Sequence, residues 1–397
     1  QITLFGLDDS GATCLTQKTI PTRGCIYDKY NVSYQNGTLS AVSISWDNTA
    51  GFGPVSVLEN FTVSGTRLAS LEIKPGETLR ATRFIEGKVY VVTAQTTDPL
   101  WIVDISDPKA PSITGSVEVP GYSTYIEPMG DSGQFLFTIG MNGGKVAASL
   151  FNVEDVANPS LIDRVDINEN QWGYSEAVYD DKALKVLPEE GLALIPFSAS
   201  FWSPVLSKSE KMSFVRLVDI SLQNGGALKL RGRLNHDFAP RRATLVNEIL
   251  TSISQKELIT ANIDDRDHPA VLADVALAWP VNQVIQSGEY LIQISDGSSA
   301  VWSGDKAAIR VSKTSSESSI LTDIDLQDGI VQEAVLKSSK LYVLRKNWNP
   351  NNGWGLMACF IRRPSNTPTS AELAMDVYDA SALPALKLLG TTSVAMR

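Results

Sequence analysis

Two arginine pairs are the residues of this sequence best suited to binding chemistry. Arg80 and Arg83 belong to one predicted strand, and Arg241 with Arg242 opens another. A guanidinium group presents a fork of donors that matches a carboxylate or phosphate, so these pairs could hold an anion. The other polar positions predicted to line the same site are Ser123, Tyr125, Ser175, Asn282 and Gln332.

Two glutamates align with these arginines and suggest an alternative chemistry. Glu176 and Glu333 occupy matching positions and could act as acid and base in a hydrolase or lyase, with the arginines holding an anionic group. In the competing interpretation, both glutamates pair with the arginines. The polar residues would then line only a narrow, water-filled channel.

The eight tryptophans indicate a binding surface. On the predicted strand map they fall near connections that emerge on one face, the face that carries the polar residues. The strongest candidates lie in two long insertions and are Trp202, Trp348 and Trp354. Indole is amphipathic and stacks, so such a face could bind sugars or extended peptides. The alternative is that these side chains pack between repeats.

Other catalytic signals are sparse. There are two histidines, and His236 alone precedes a predicted inner strand and could reach the site, which argues against a multi-histidine metal centre. The sequence has no G-x-S-x-G, P-loop or C-x-x-C motif. We therefore predict no cofactor, although the many carboxylates are compatible with a structural calcium ion.

The elements that would position these residues are repeated groups of four strands. In residues 79–119, Glu86-Gly87 is a two-residue turn signal, Asp98-Pro99 interrupts a strand, and the last strand alternates apolar and polar residues. The end of this unit, an apolar strand followed by a polar residue, a turn and an alternating strand, recurs seven times. The polar residue is Asn60, Asp104, Asn152, Asp219, Asn262, Arg310 or Asp376. A period of roughly 40–50 residues is typical of a propeller blade.

The sequence therefore predicts an all-β fold, a single seven-bladed β-propeller of four-stranded antiparallel blades in one domain, 1–397. Six or eight blades would follow if the weak copies at Asn60 or Arg310 are misassigned. Residues 1–36 are predicted to be irregular and could supply an outer strand to the last blade. The predicted blades cover residues 37–72, 79–119, 122–167, 175–234, 241–277, 282–326 and 331–394.

Composition excludes several functions. The net charge is −10 and the pI is about 4.9, which argues against nucleic acid and anionic membrane surfaces as partners. No apolar stretch approaches the roughly 18 residues needed to span a bilayer. We expect a mature or trimmed product, because the chain opens at Gln1 in mid-pattern.

Three cysteines bear on the cellular compartment. Cys14 and Cys25 bracket a short loop and are predicted to form a disulfide, with two free thiols as the alternative. Cys359 would be an odd thiol, or could pair with an N-terminal cysteine. Either bridge requires an oxidising compartment.

One long run resembles a known family. RFIEGKVYVVTAQTTDPLWIVDISDPKAPSITGSVEVPGYSTYIEP, followed by SLFNVEDVANPSLIDRVDI and GYSEAVYDDKAL, is similar to the secreted β-propeller proteins of bacteria and archaea, which carry a C-terminal β-propeller domain. The resemblance implies a propeller and export, but no reaction, since the function of the family is largely unknown. It also implies a histidine just before Lys182, where this chain has Asp181, so no role based on that histidine is expected.

We therefore predict a secreted, periplasmic or cell-surface binding module. It would recognise an extracellular protein, peptide or glycan through the tryptophan-rich face. The alternative is a hydrolase or lyase that acts on a polysaccharide or a small anionic substrate at the channel mouth.

Overall fold

The structure is a computed structural model. It describes residues 1–7, 14–46, 53–94, 97–168, 172–203, 208–254, 256–277, 279, 281–297, 307–326, 330–347 and 372–395. Within these residues the regular elements are β-strands and short 3₁₀ turns. None of the described helices is long and apolar enough to cross a membrane.

The strands form seven four-stranded antiparallel sheets and one two-stranded sheet within the described ranges. Every four-stranded sheet is a meander, in which strands that follow each other along the chain pair with each other. We number these sheets 1 to 7 in chain order and call the strand nearest the N-terminus of each sheet its inner strand.

The N-terminal hairpin and the first three sheets span residues 2–166. The hairpin is β1 (Ile2–Leu7) and β2 (Cys14–Ile20). Sheet 1 is β3 (Val32–Gln35), β4 (Thr38–Ser45), β5 (Val55–Thr62) and β6 (Arg67–Ile73). Sheet 2 is β7 (Thr78–Ile85), β8 (Lys88–Ala94), β9 (Thr97–Asp104) and β10 (Ser112–Pro120). Sheet 3 is β11 (Tyr122–Met129), β12 (Phe135–Asn142), β13 (Lys145–Asn152) and β14 (Ser160–Asp166).

The remaining sheets span residues 185–395. Sheet 4 is β15 (Lys185–Leu187), β16 (Leu192–Ser203), β17 (Lys208–Ser221) and β18 (Ala227–Asn235). Sheet 5 is β19 (Pro240–Val246), β20 (Ile249–Ser254), β21 (Glu257–Asn262) and β22 (Ala270–Ala276). Sheet 6 is β23 (Gln283–Ser287), β24 (Tyr290–Ser295), β25 (Ala308–Lys313) and β26 (Ser316–Asp325). Sheet 7 is β27 (Ile330–Lys337), β28 (Lys340–Asn347), β29 (Glu372–Asp379) and β30 (Lys387–Ala395).

Four 3₁₀ turns interrupt the strands. They are Lys29–Asn31, Glu176–Val178, Pro188–Glu190 and Gln223–Gly225. The first two precede the inner strands of sheets 1 and 4, which are the shortest inner strands, with four and three residues.

A repeated bulge relates the seven sheets to one another. In each sheet the pairing between the third and fourth strands shifts register. The shifts lie at Asn60/Phe61, Ile113/Gly115, Leu150/Phe151, Arg216/Val218, Thr260/Ala261, Val311/Ser312 and Val377/Tyr378. A bulge bends and twists the strand that carries it, so the same deformation at the same place indicates seven copies of one unit.

In sheets 2, 3 and 5 the repeated Asp or Asn of the sequence caps the turn after the third strand, whereas Asn60 and Asp219 lie inside β5 and β17. Asp104, Asn152 and Asn262 each accept a hydrogen bond from the backbone N–H two residues later, at 2.8, 2.8 and 2.9 Å. This is the turn that Asx side chains favour. In sheet 7 the residue in this role is Asp379, at 2.9 Å from the N–H of Ser381, so the sequence alignment there was wrong by three residues.

Asp376, the residue that the sequence alignment selected, has a different role. It is 2% exposed and lies within β29. The guanidinium group of Arg345 binds it from two nitrogens, at 2.6 and 3.1 Å. A bidentate buried pair of this kind organises the interior of the sheet, not a turn.

Apolar clusters join neighbouring sheets. Sheets 1 and 2, 2 and 3, 3 and 4, 4 and 5, and 6 and 7 each share one cluster of buried side chains. In the cluster of sheets 3 and 4, Phe197 and Phe214 stack with their ring centroids 5.0 Å apart, and both are essentially inaccessible to solvent. Burial of whole aromatic side chains is a large favourable term for each such interface.

The N-terminal segment differs from the sequence prediction. All four strands of sheet 7 come from residues 330–395, so the N-terminus supplies no outer strand to it. Instead, Ile20 of the hairpin packs with Leu39 and Phe61 of sheet 1. Sheet 1 also begins at Val32, inside the segment predicted to be irregular, because β3 pairs with β4 across the Asn36-Gly37 turn. Leu39, which the alignment of predicted strand starts assigned to an inner strand, therefore lies in β4, the second strand of sheet 1.

Candidate functional site

Bulges at the start of the inner strands set the positions of several predicted residues. The register of the inner strand shifts between Leu79 and Ala81 in sheet 2 and between Pro240 and Arg242 in sheet 5, with further shifts at Ser123/Tyr125 and Val331/Glu333. The bulged residues are Arg80, Thr124, Arg241 and Gln332. Two of the four predicted arginines thus sit where an inner strand is locally released from its ladder.

A polar network joins sheets 2 and 3 to the segment before sheet 1. The guanidinium group of Arg83 is 3.3 Å from Glu127, and the hydroxyl of Tyr125 donates to the same carboxylate at 2.5 Å. Tyr30 packs edge-on against Tyr125 with centroids 5.5 Å apart, and Arg83 lies over the ring of Tyr30 at 5.0 Å. Burial, assisted by Glu127, raises the pKa of Tyr125, so this phenol stays protonated.

The 3₁₀ turn before sheet 1 contacts sheets 2 and 3 and the segment before sheet 4. Asp28 caps this turn by accepting from the N–H of Tyr30 at 2.9 Å. The amide of Asn31 donates to Thr82 of sheet 2 at 2.9 Å. Lys29 and the hydroxyl of Tyr30 donate to Asp181 at 2.7 and 2.9 Å.

Asp181 is the residue that stands where the family resemblance implies a histidine. Desolvation disfavours its charged form, but hydrogen bonds from Lys29 and Tyr30 outweigh this and lower the pKa of Asp181. The substituted residue is therefore an ionised acceptor that ties the segment before sheet 1 to the segment before sheet 4.

The 3₁₀ turn before sheet 4 carries two ion pairs with sheet 5. Arg241 lies 2.7 Å from Glu176, and Arg242 lies 3.1 Å from Asp180. The first pair is one that the sequence suggested in its alternative interpretation. The second proposed acid, Glu333, is exposed on β27.

Four other predicted ligand residues have structural contacts. Ser123 and Ser175 are 3% and 1% exposed. Their hydroxyls donate to Thr138 and to the carbonyl of Pro196, so burial removes both from a ligand site. Asn282 accepts from the N–H of Asp296 at 2.9 Å, and Gln332 donates to the carbonyl of Ile330 at 3.3 Å; both remain exposed.

The described tryptophans divide into two classes. Trp46 and Trp172 are 72% and 70% exposed. Trp101 and Trp279 are partly buried, and their indole nitrogens donate to Thr93 at 3.0 Å and to Gln293 at 2.9 Å. The backbone of Trp202 lies in β16, but its side chain is outside the described part, as are Trp302, Trp348 and Trp354 in full.

Two exposed tyrosines form a surface that the sequence reasoning missed. Tyr174 and Tyr179 stack with centroids 5.4 Å apart and planes 12° apart, and they are 43% and 72% exposed. Together with Trp172 we call them the aromatic face. The only signal in the sequence was their spacing within GYSEAVY, because stacking depends on the 3₁₀ turn that brings them together.

Two cavities meet at Arg80. The first, of about 310 Å³, is lined by the segment before sheet 1 and by the starts of β7 and β11, including Tyr27, Tyr30 and Tyr125. The second, of about 360 Å³, lies between β7 and β11 and the β12–β13 turn, where Tyr122 and Gly144 line it. Arg80 lines both cavities, and its guanidinium group lies 4.8 Å from the centroid of the Tyr122 ring.

His236 does not reach the site, contrary to the sequence expectation. Its side chain is inaccessible to solvent, with Nδ1 2.8 Å from Glu257 and Nε2 2.8 Å from Ser252. Burial lowers the pKa of His236 to about 4. Although serine, histidine and glutamate are in the order of a catalytic triad, Ser252 is 1% exposed, so this network fastens the link after sheet 4 to sheet 5.

The predicted disulfide between Cys14 and Cys25 is not formed in the structure. Cys25 is an exposed free thiol. Its backbone pairs with Ile44 of sheet 1, whereas Cys14 pairs with Leu7 in the hairpin, so the two cysteines belong to different units. Cys359 is outside the described residues. No group of three or more metal-binding side chains occurs among the residues that the structure describes.

Two uncharacterized archaeal proteins are similar to parts of the chain. One, from Methanocaldococcus jannaschii, is 40% identical over 97 residues, which are 24% of this chain and 15% of that protein. The other, from Archaeoglobus fulgidus, is 25% identical over 174 residues, which are 44% of this chain and 26% of that protein. The match therefore spans only a minor part of each relative.

Solved structures give a weak likeness. BamB from Moraxella catarrhalis is 11% identical with a TM-score of 0.37, covering 84% of this chain and 86% of that one. A protein from Lactobacillus plantarum is 12% identical with a TM-score of 0.34, covering 89% and 95%. A family model described as a beta propeller domain matches residues 1–265 of the 397 residues, and the chain therefore belongs to the beta propeller domain family.

Proposed function

We propose that this protein is a binding module that holds an extended peptide or glycan chain, free or as part of a larger partner, across the aromatic face. The observation that carries the proposal is the stacked pair of Tyr174 and Tyr179, which leaves two broad ring surfaces in solvent. The exposed indole of Trp172 lies two residues before Tyr174 in the chain. Hydration of several exposed aromatic rings is unfavourable, so this surface favours a ligand that stacks on the rings.

The ion pairs of the neighbouring 3₁₀ turn support binding over catalysis. Glu176 would be the acid or base of a hydrolase, but its carboxylate is 2.7 Å from the guanidinium group of Arg241. This ion pair occupies the carboxylate that would have to contact a substrate. A polar rim around exposed aromatic rings is instead the usual anatomy of a recognition surface.

The seven four-stranded sheets are, in this proposal, the seven blades of one propeller. Support comes from the bulge and the capped turn that recur from sheet to sheet. A location outside the cytoplasm is also proposed, and its support is the resemblance to secreted propeller proteins.

The test is a binding screen on arrays of glycans and of extended peptides with purified protein. Tyr179→Ala and Trp172→Ala are expected to reduce binding to the selected ligand about tenfold or more, because each removes a stacking surface. Tyr34→Ala is the matched control, since Tyr34 is 59% exposed on β3, next to the Asn36-Gly37 turn.

The thermal midpoint of all three variants should stay close to that of the wild type, because exposed side chains contribute little to packing. If Tyr179→Ala and Trp172→Ala bind as the wild type does, the proposal is wrong.

A further inference from the structure

Arg80 differs from the other three arginines that the sequence selected. Arg83, Arg241 and Arg242 each pair with a carboxylate, at 3.3, 2.7 and 3.1 Å. Within the described part of the chain, the guanidinium group of Arg80 contacts the ring of Tyr122, with its central carbon 4.8 Å from the ring centroid. Its donors are therefore available for an external acceptor.

The position of Arg80 exposes these donors to a cavity. The β-bulge between Leu79 and Ala81 places Arg80 outside the ladder of sheet 2. The residue is exposed and lines the cavity of about 360 Å³ together with Tyr122 and the Gly143-Gly144 turn. A cavity of this size matches the small end of ligand sites, which is adequate for one residue of a chain.

Two other cations lie near the cavity, and each has partners. Lys145 follows the Gly143-Gly144 turn, and its amine is 3.1 Å from Asp166. The guanidinium group of Arg164 donates to the carbonyl of Pro120 and, at 2.8 Å, to the hydroxyl of Ser149. Of these cations, Arg80 is the one that lines the cavity itself.

The cavity adjoins Trp172, one of the three residues of the aromatic face. Gly144 has a φ of +85°, and a Cβ at this position would overlap the ring of Trp172. The indole thus packs directly on the backbone of the turn that lines the cavity, while 70% of Trp172 is exposed. A ligand that stacks on Trp172 can extend a neighbouring residue towards Arg80.

The lining favours a sugar over an amino-acid side chain. The cavity is lined by three glycines, by the apolar residues Ala94, Pro120 and Met141, and by Arg80, Tyr122 and Asn142. A sugar, which has both apolar faces and polar edges, matches this mixed lining. Rings with an exposed face stack well on the apolar face of a sugar. The net charge of −10 opposes a densely charged polyanion, so the favoured ligand carries isolated carboxylates.

We infer that the cavity beside Arg80 binds the carboxylate of a uronic acid within a glycan chain whose neighbouring sugars stack on Trp172 and the aromatic face. This inference rests on the proposed function and narrows its ligand to an acidic glycan. The guanidinium group would bind the carboxylate from two nitrogens, a geometry that a lysine cannot supply.

Calorimetric titration of the full chain tests the inference. The probes are hexasaccharides that contain glucuronic, galacturonic or mannuronic acid, each beside its carboxyl-reduced form. At least one acidic probe should bind the wild type, and Arg80→Gln should weaken it about tenfold or more. Arg80→Lys should recover only part of the loss. Lys387→Gln, which removes an exposed cation on β30, should change nothing.

Carboxyl reduction gives a second readout. The reduced probe should bind the wild type as weakly as the acidic probe binds Arg80→Gln, and Arg80→Gln should not weaken it further. If Arg80→Gln and the wild type bind the acidic probe equally, while Tyr179→Ala loses it, the carboxylate site is overturned and the aromatic face stands.

Two further outcomes separate this inference from the proposed function. Binding of an acidic hexapeptide with no binding of any hexasaccharide overturns the glycan assignment but leaves a peptide-binding module. Binding of neither class, with the arrays also negative, overturns both.

Discussion

The molecule contains two polar networks that are built in opposite ways. His236, Ser252 and Glu257 are buried, with His236 in the link between sheets 4 and 5 and its two partners in sheet 5. Between sheets 1 and 4, Lys29 and Asp181 are paired but partly exposed, with 57% and 26% of their side chains accessible. The first network is closed to solvent, and the second lies at the end of the strands near the cavities.

The difference between the two networks follows from the short inner strands of sheets 1 and 4. A longer inner strand, such as the eight-residue β7, keeps its residues in the ladder except for the bulged Arg80. Sheets 1 and 4 replace the start of that strand with a 3₁₀ turn, and the released residues contact other sheets. Stability is therefore concentrated in the buried network, whereas the exposed one shapes the surface where a ligand would bind.

The largest expected effect comes from removing the acceptor of the buried network. Glu257→Ala leaves His236 and the N–H groups of Asp237 and Phe238, which are 3.1 and 3.3 Å from the carboxylate, without a partner. We expect the free energy of unfolding to fall by about 3 kcal/mol or more. Urea denaturation followed by circular dichroism measures this change.

Sheet 5 offers a matched control for this variant. His268 and Asp265 make a pair of the same length, 2.8 Å, but their side chains are 85% and 62% exposed. Asp265→Ala should therefore have a far smaller effect. Equal losses in the two variants would show that burial does not distinguish the pairs.

An intermediate effect is expected from pH. Burial lowers the pKa of His236 from 6.5 to about 4, so the fold holds it uncharged while the unfolded chain binds a proton below pH 6.5. Its contribution to stability is full above pH 6.5 and decreases as the pH falls towards 4. Burial also raises the pKa of Glu257. Because the fold favours the protonated carboxyl group, the contribution of Glu257 to stability decreases as the pH rises above 4.5.

Comparison with His236→Gln isolates the histidine. The stability difference between wild type and variant should shrink by about 3 kcal/mol between pH 6.5 and 4. Denaturation curves at four or five pH values give this difference. A difference that is constant across the range would contradict the buried, neutral histidine.

The smallest effect on stability is expected in the exposed network. Asp181→Asn removes the charge that Lys29 and Tyr30 contact and should cost about 1 kcal/mol or less, because exposed pairs are screened by solvent. Lys29→Met should give a similar value. A loss as large as that of Glu257→Ala would mean that the network between sheets 1 and 4 supports the whole fold.

The repeat and the local turns could be predicted from the sequence. Glu86-Gly87 is the two-residue loop between β7 and β8, with positive φ at both residues. Pro99 was taken as a strand break, yet it lies within β9. It pairs only with Glu118 of β10, while the pairing of β9 with β8 stops at Leu100, so the missing N–H costs no hydrogen bond on that side.

The site was less accessible to prediction, because its contacts depend on which sheets meet. The ion pair between Arg241 and Glu176 was one alternative that the alignment of strand starts suggested, since the two residues fall in adjacent positions of that alignment. The contact of Tyr30 with Asp181 joins residues 151 positions apart, and no local pattern specifies such a pair. The stack of Tyr174 and Tyr179 requires a 3₁₀ turn whose length the sequence does not define.

The contact between Tyr30 and Asp181 has a consequence for how the chain folds. The meander sheets are assembled from neighbouring strands, so their contacts are close along the chain and form early. We expect the bond between Tyr30 and Asp181 to form after sheets 1 to 3, which lie between the two residues, because closing a long loop is entropically costly before those sheets shorten it. Asp181→Asn should therefore accelerate unfolding and leave the refolding rate nearly unchanged, as expected for an interaction absent from the transition state.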